Sequence, residues 1–199
     1  MDAKLRELLD ELHAEGLTYD AAQSDRLLRR RNLEPDAAQP LAMAVRMVGA
    51  RRIVEIGTSN GYSAIWLADA ARDTDGAVIS VDTEAVDEAA ANLEASGLAD
   101  RVELVRADGG RYLAERPDGD VDLLFLDAER TEYVGWWPDP VRVLRPGGVL
   151  AIDNVLAPSP EELTEFLGLV AADDRLSGVT IDVGKGLHLA WRRTVDPVG

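Results

Sequence analysis

Polar side chains that could bind a ligand recur where short apolar runs of this sequence end. The run at residues 52–56 contains Glu55 and leads into a glycine loop at residues 57–61. Asp82 ends a second run, Asp127 a third, and the pair Asp153-Asn154 a fourth. Carboxylate and amide groups bind hydroxyls or hard cations, and glycine leaves space for a ligand beside the backbone. The carboxyl ends of parallel strands border one crevice, so we expect all four endings at a single site.

Alternating strands and helices would position these side chains. The pattern predicts strands at 52–56, 77–81, 102–105, 121–126 and 148–152, with helices near 61–71, 84–96 and 132–143. Such alternation is typical of βαβ units in a parallel sheet of the α/β class. Apolar residues on both sides of Gly184-Lys185-Gly186 predict a closing antiparallel hairpin.

The first 50 residues predict a helical N-terminal segment. Leucines at 5, 8, 9 and 12 recur at helical spacing, and Gly16 is expected to end that helix. A second helix is expected around Leu27 and Leu28, beside the basic run at residues 29–31, and a third at 37–48. Further on, Ser159-Pro160-Glu161-Glu162 matches a capping box and predicts a helix to about residue 173. We interpret residues 1–199 as one domain, with a helical part at 1–50 and a core at 51–193.

Composition excludes several classes of function. The net charge of −16 disfavours nucleic acid as a partner, because an acidic surface repels phosphate backbones. The chain has no cysteine and two histidines, which removes disulfides, thiolate nucleophiles and multi-histidine metal sites. The sequence has neither an apolar run of membrane-spanning length nor a charged-then-apolar leader, so we expect a cytoplasmic protein without a membrane partner.

The glycine loop has the spacing G-x-x-x-G, which differs from the G-x-G-x-x-G of dinucleotide sites. Asp82 is placed to accept hydrogen bonds from both hydroxyls of a ribose, although a solvated acid at a strand end is the alternative. Glu55 stands inside a strand, where a carboxylate needs a ligand, a cation or a structural partner. These residues indicate a nucleoside-containing cofactor.

Six stretches carry a family resemblance: VEIGTSNGYS, ISVDTEA, ANLEASGLADRVELVRADG, LLFLDAERTEY, VLRPGGVLAIDNVL and VGKGLHLAWRR. Over residues 33–193 the chain resembles class I S-adenosylmethionine-dependent methyltransferases, and more narrowly the cation-dependent O-methyltransferases typified by the caffeoyl-CoA and catechol enzymes. The resemblance implies a Rossmann-like seven-stranded sheet of order 3-2-1-4-5-7-6, with strand 7 antiparallel and helices on both faces. It implies contacts to S-adenosylmethionine from Glu55, Gly57, Ser63 and Asp82, and places Asp108 near the adenine.

The same resemblance assigns Asp127, Asp153 and Asn154 to a divalent metal, with Mg²⁺ as the expected ion. Hard oxygen ligands suit that ion, which would acidify a chelating hydroxyl on a small phenolic or catechol-like acceptor. A simple loop-start turn is the alternative for Asp153-Asn154, and a metal-independent methyltransferase is the alternative for the whole site.

Two departures from the family pattern bear on catalysis. Relatives that act on catechols carry a lysine base three positions after the first metal aspartate, and Arg130 stands there in this chain. Arginine stays protonated, so we expect Arg130 to hold an oxyanion rather than to remove a proton. Only residues 155–158 separate Asn154 from Ser159, where plant enzymes carry a longer insertion, and this disfavours an acyl-CoA acceptor. Tyr133, Trp136 and Trp137 could line an acceptor pocket, but we favour core packing.

Two other interpretations remain open at this level. Residues 57–61 also match the G-x-S-x-G elbow of hydrolases, with Ser59 as nucleophile and His188 downstream, although that elbow follows several strands in hydrolases. A second interpretation is a non-catalytic protein that binds the cofactor without turnover. We also expect a homodimer, in which the leucine-bearing N-terminal segment reaches over a neighbour.

Overall fold

A computed structural model describes residues 1–25, 29–84 and 86–195. A seven-stranded sheet runs through the molecule in the order β3-β2-β1-β4-β5-β7-β6, which confirms the predicted topology. Its strands are β1 Arg52–Ile56, β2 Ala77–Asp82, β3 Val102–Arg106, β4 Val121–Leu126, β5 Leu144–Ile152, β6 Leu176–Ile181 and β7 Leu187–Arg192. The α-helices are α1 Ala3–Ala22, α2 Pro35–Met47, α3 Tyr62–Arg72, α4 Asp87–Ser96, α5 Gly109–Glu115, α6 Asp139–Arg142 and α7 Thr164–Ala172.

Parallel pairing brings the predicted polar strand ends to one edge of the sheet. β1 pairs in parallel with β2 and β4, and β4 pairs in parallel with β5. β7 runs antiparallel between β5 and β6, in the register that places Ile152 opposite His188. The turn between β6 and β7 therefore returns to the edge where β1, β2, β4 and β5 end.

Alternate residues of the central strands enter two separate hydrophobic clusters, one on each face of the sheet. Ile53 packs with α1, α2 and α3 on one face, where Leu9, Leu41 and Ile65 are buried. Val54 belongs to the cluster of the other face, together with Phe166 of α7. The N-terminal helices thus share a core with the central strand.

Helix α1 runs on through Gly16, so the prediction that this glycine ends the helix is wrong. A Cβ at Gly16 would lie 2.5 Å from Nδ2 of Asn32. That amide donates to the Leu12 carbonyl at 3.1 Å. The glycine therefore makes room for a side chain packed against the helix. The helix expected around Leu27 and Leu28 lies outside the described residues.

Two predicted helices differ in detail. Instead of one helix over 132–143, the chain forms a 3₁₀ helix at Arg130–Trp136 and then α6, because Pro138 cannot donate a helical hydrogen bond. The side chain of Ser159 caps nothing, and a 3₁₀ helix at Pro160–Leu163 precedes α7. The carboxylate of Glu162, which a capping box would turn back on Ser159, instead pairs with Arg130 at 2.6 Å. None of the helices within the described ranges is long and apolar enough to span a bilayer.

Candidate active site

The glycine loop after β1 packs directly on the end of β4. Gly57 has a φ of +108°, and a Cβ there would lie 2.2 Å from the backbone oxygen of Asp127. Gly61 has a φ of +82° immediately before α3. Both conformations and the close approach require glycine. The spacing G-x-x-x-G therefore shapes a loop that lies against the strand carrying Asp127.

Asp82 fixes the conformation of this loop. Its Oδ2 accepts hydrogen bonds from the backbone N–H groups of Thr58 and Ser59, each at 2.9 Å, and its Oδ1 accepts from Glu84 N–H at 3.0 Å. A carboxylate has about four acceptor positions, so one remains for a ligand hydroxyl. The structure thus places Asp82 beside the glycine loop, and its contact with a ribose stays a prediction.

Glu55 is fully buried in β1 at the base of the loop. Its Oε2 accepts from the Ser80 hydroxyl at 2.5 Å, while Oε1 has no hydrogen-bond partner among the described residues. Burial raises the pKa of this carboxyl to about 7, although the hydroxyls of Ser63 and Ser80 lower it in part. A buried acid with an unpartnered oxygen suits the positively charged group of a ligand.

Ser63 and Asp108 differ in how far they support a cofactor role. Ser63 is buried in the first turn of α3, close to Glu55. Asp108 is exposed after β3, where its carboxylate accepts from Arg111 N–H at 2.7 Å and caps α5. The described contacts give Asp108 a structural role, and its proximity to an adenine stays a prediction.

Asp127, Asp153 and Asn154 meet at the ends of β4 and β5. The Asn154 amide donates to Asp127 Oδ1 at 3.3 Å. Asp153 is 2% exposed, and its Oδ1 has no hydrogen-bond partner in the part of the chain that the structure describes. Asn154 has a φ of +60°, a left-handed conformation that asparagine tolerates better than most residues.

The two aspartates carry more negative charge than their surroundings balance. Burial raises the pKa of Asp127 well above its usual range, and the charges of Asp153 and Glu55 raise it further. Burial also raises the pKa of Asp153. A divalent cation would relieve this repulsion, and two carboxylates with an amide are a suitable ligand set. No group of three or more His, Cys, Asp or Glu residues in the described ranges is placed to hold a metal.

Arg130 is buried, and its guanidinium is occupied by protein atoms. Nη1 donates to the Asn154 carbonyl at 3.0 Å and to the Ser159 carbonyl at 3.4 Å, and Nη2 pairs with Glu162 at 2.6 Å. These contacts favour a role in positioning the loop that carries Asn154, rather than the direct contact with an acceptor oxygen that the sequence suggested.

The aromatic residues after β4 pack in the core. Tyr133 is fully buried, and its hydroxyl donates to the Ala128 carbonyl. Its ring centroid lies 4.9 Å from that of Trp136 and 5.4 Å from that of Phe166. A Cβ at Gly110 would lie 2.4 Å from the Trp136 indole and collide with it. Core packing, the favoured prediction, therefore holds for Tyr133 and Trp136.

The residues of a serine hydrolase are not assembled. The Ser59 hydroxyl donates to the Arg30 carbonyl at 3.1 Å, and His188 Nδ1 is 2.9 Å from the Thr180 hydroxyl. Each member of the supposed catalytic pair thus has a different partner.

Sequence reasoning missed two charged residues beside the aspartates. Lys185, in the β6–β7 turn, lowers the pKa of both Asp127 and Asp153 through its charge. Glu34, just before α2, pairs with the Lys185 ammonium at 2.6 Å. One signal was available in the sequence, since Lys185 is one of only two lysines among 21 basic residues.

Comparisons with known proteins agree with this architecture. A family model described as O-methyltransferase matches residues 2–193. The chain is 36% identical over 118 residues to a catechol O-methyltransferase of Mycobacterium tuberculosis, covering 58% of this chain and 53% of that protein. It is 29% identical over 176 residues to tapetum-specific methyltransferase 1 of Arabidopsis thaliana, covering 76% and 74%.

Solved structures with bound cofactor have the same fold. An O-methyltransferase of Bacillus cereus in complex with S-adenosylhomocysteine (SAH) matches with a TM-score of 0.74 and 27% identity, over 97% of this chain and 92% of that one. The O-methyltransferase TomG of Streptomyces achromogenes, in complex with S-adenosylmethionine, matches with a TM-score of 0.76 and 26% identity, over 97% and 91%. By sequence and by fold, the chain belongs to the family of S-adenosylmethionine-dependent O-methyltransferases.

Proposed function

We propose that this protein transfers the methyl group of S-adenosylmethionine to a hydroxyl of a small phenolic or catechol-like acceptor, assisted by a divalent cation. The observation that carries the proposal is the buried, unpartnered Oδ1 of Asp153 beside the raised pKa of Asp127. Asp127, Asp153 and Asn154 would hold the cation. A cation bound there supplies Lewis-acid chemistry that lowers the pKa of a chelated hydroxyl.

The cofactor would lie along the glycine loop. Asp82 fixes the loop through the N–H groups of Thr58 and Ser59, and its one remaining acceptor position would bind a ribose hydroxyl. Glu55, with its free Oε1, would face the positively charged end of the cofactor. Gly57 would allow the cofactor to approach the backbone closely, and Ser63 would line the same part of the site. Asp108 would border the adenine.

Arg130 would act by positioning. Its hydrogen bond to the Asn154 carbonyl fixes the strained backbone of a proposed metal ligand, and its pairing with Glu162 fixes the guanidinium in turn. Proton removal from the acceptor would then fall to solvent, because this arginine remains protonated.

The acceptor class rests on a relative and on a short loop. The similar protein of M. tuberculosis is named as a catechol O-methyltransferase. The loop between Asn154 and the 3₁₀ helix at Pro160–Leu163 is brief, which leaves little protein to cover an extended acceptor. A compact dihydroxy aromatic compound fits both observations.

A methyl-transfer assay tests the proposal. Purified protein is treated with EDTA, dialysed, and incubated with S-adenosylmethionine and a panel of phenols, catechols and flavonoids, with or without Mg²⁺ or Mn²⁺. We expect methylation of vicinal dihydroxy acceptors only when metal is present. Full activity in EDTA would favour the metal-independent alternative. SAH binding without turnover on any acceptor would favour a non-catalytic protein.

We also propose a homodimer, although not through the predicted N-terminal arm. Leu5, Leu9 and Leu12 of that arm are at most 6% exposed and pack on their own chain. The sheet instead ends in β6, an edge strand on which Val179 is 58% exposed. Trp191, on the neighbouring strand β7, is 40% exposed. A second copy of the chain packed on this edge would cover both side chains.

A further inference from the structure

Lysine is rare in this chain, and one lysine is held at the active-site edge. Only Lys4 and Lys185 occur among 21 lysine and arginine residues. Lys4 lies in α1, and Lys185 lies in the turn between β6 and β7. A lysine ammonium is a compact charge on a flexible stem, and it can change partners more readily than a planar guanidinium.

Backbone hydrogen bonds fix the Lys185 turn to the loop that follows Asn154. The Lys185 carbonyl accepts from the N–H groups of Leu156 at 2.8 Å and Ala157 at 3.1 Å. The Gly186 carbonyl accepts from Val155 N–H at 3.1 Å. The main chain of Lys185 therefore keeps a fixed place beside the proposed metal-binding loop, whatever its side chain does.

The Lys185 ammonium is the cation whose charge acts on both aspartates. Its charge offsets part of the rise in the pKa of Asp127 and of Asp153, and the charge of Arg31 does the same for Asp127. Arg130, which also acts on Asp153, is buried and fixed by protein atoms. The Lys185 side chain is 36% exposed, and its Nζ lies 2.6 Å from Oε1 of Glu34. A partly exposed ion pair of this kind is weak, so it can be exchanged for another.

We propose that Lys185 is an acceptor-binding residue. Its ammonium would separate from Glu34 and pair with an anionic oxygen of the acceptor above Asp127 and Asp153. This inference rests on the proposed function, because it assigns a charge to the acceptor of that same site. The anionic oxygen has two possible sources, an ionised phenolic hydroxyl or a ring carboxylate. Both would be drawn to an ammonium beside an otherwise acidic edge, on a chain whose net charge is −16.

Amine labelling gives a direct readout that requires no turnover. The full-length protein, with SAH and Mg²⁺, is treated with an amine-acylating reagent, and the two lysine-containing peptides are quantified by mass spectrometry. Lys4 serves as the internal control. We expect 3,4-dihydroxybenzoate to slow acylation of Lys185 at least threefold and to leave Lys4 unchanged. Equal rates with and without 3,4-dihydroxybenzoate and catechol would overturn the inference.

Steady-state kinetics then identify the source of the charge. If the ring carboxylate is the partner, Lys185→Met should raise KM for 3,4-dihydroxybenzoate about tenfold and leave KM for catechol unchanged. If the phenolate is the partner, the variant should lower kcat for both acceptors and shift their pH profiles to higher pH. In either case Lys185→Arg should restore part of the loss. Wild-type kinetics on both acceptors in Lys185→Met would contradict the inference.

Two measurements separate this inference from the function on which it rests. Calorimetry should show that Lys185→Met binds SAH as the wild type does, which excludes a general loss of structure. Protection of Lys185 without methylation of either compound would overturn the proposed function and support the inference. Methylation of both compounds, with Lys185 unprotected, would support the proposed function and overturn the inference. If Lys185 is unprotected and neither compound is methylated, the proposed function and the inference are both overturned.

Discussion

Arg130 donates from Nη1 to the backbone carbonyl of Asn154 at 3.0 Å, across 24 positions of sequence. The same guanidinium pairs with Glu162, so a buried cation joins the 3₁₀ helix after β4 to the loop after β5. Asn154 adopts a φ of +60° at this junction. The position where the resemblance to catechol-methylating enzymes leads us to expect a lysine base is occupied here by an arginine that holds the backbone of a proposed metal ligand.

Replacing Arg130 by alanine should destabilise the fold. The change leaves Glu162 without its cation and the Asn154 carbonyl without its donor, and breaking a buried ion pair from one side costs about 3 kcal/mol. Chemical denaturation should show this loss, with Arg130→Lys intermediate. Arg111→Ala is the matched control, because its pair with Glu115 is exposed to solvent and should contribute little to stability. Equal effects of the two alanine variants would contradict the positioning role.

Removing the Asp82 carboxylate should weaken cofactor binding. Thr58 and Ser59 would lose the acceptor of their N–H groups, and a charge-assisted hydrogen bond contributes roughly 1.5–3 kcal/mol. Calorimetry with SAH should therefore show at least a tenfold loss of affinity in Asp82→Ala, and NAD should not bind the wild type. Asp87→Ala removes an exposed acid of α4 and should bind normally. Unchanged affinity in Asp82→Ala would remove this residue from the site.

The stability of the cofactor-free protein should fall as pH rises toward 8. Glu55 has a folded pKa of about 7 against an ordinary 4.5, so the folded state binds more protons than the unfolded state between these values. The resulting stabilisation is complete below pH 4.5 and is lost as pH rises through 7, and it amounts to roughly 3 kcal/mol. Urea unfolding in EDTA at pH 5 to 8 should show a flatter dependence for Glu55→Gln. If the free energy of unfolding changes with pH in the same way for the variant and the wild type, the raised pKa of Glu55 is contradicted.

A divalent cation should stabilise the protein through Asp127 and Asp153. The cation binds deprotonated carboxylates, and burial raises the pKa of both, so the increase in Tm caused by Mn²⁺ should grow from pH 6 to pH 8. Asp153→Asn should reduce that increase strongly. Glu165→Gln, an exposed acid in the first turn of α7, is the control and should respond as the wild type does. An undiminished response in Asp153→Asn would place the cation elsewhere.

Light scattering at micromolar concentration should give the mass of two chains. Trp191→Glu places a charge on the exposed part of β7 and should shift the protein toward one chain, while the exposed substitution Met43→Glu on α2 should not. A single-chain mass for the wild type would end the dimer proposal, and an undisturbed dimer in Trp191→Glu would move the interface to another surface.

The sheet and the residues at its edge were predictable from the sequence because strand alternation and strand endings are local signals. Asp82, Asp127 and Asp153 each follow an apolar run, and parallel pairing alone brings them together. The same reasoning predicts the closing hairpin, whose strands β6 and β7 alternate in pattern.

Contacts between distant parts of the chain left no local signal. Gly184 N–H donates to the Asp36 carboxylate across 148 positions, beside the Lys185–Glu34 pair, and no periodicity connects these segments. The prediction that Gly16 ends a helix is wrong for a related reason. A glycine is needed there because Asn32, which is distant in sequence, packs against the helix at that point. The role of Arg130 also depended on Glu162, which the sequence suggested as part of a cap.

The close contact between Gly57 and the backbone of Asp127 would link the two proposed ligands, the cofactor and the cation, even though they need not touch each other. A Cβ at Gly57 would lie 2.2 Å from the Asp127 oxygen, so no space allows the glycine loop to shift toward β4. A cofactor that orders the loop would therefore also order the main chain of Asp127, and a cation bound by Asp127 would order the loop. If both proposed ligands bind, such a coupling free energy is reciprocal, so each would raise the affinity of the other by the same factor.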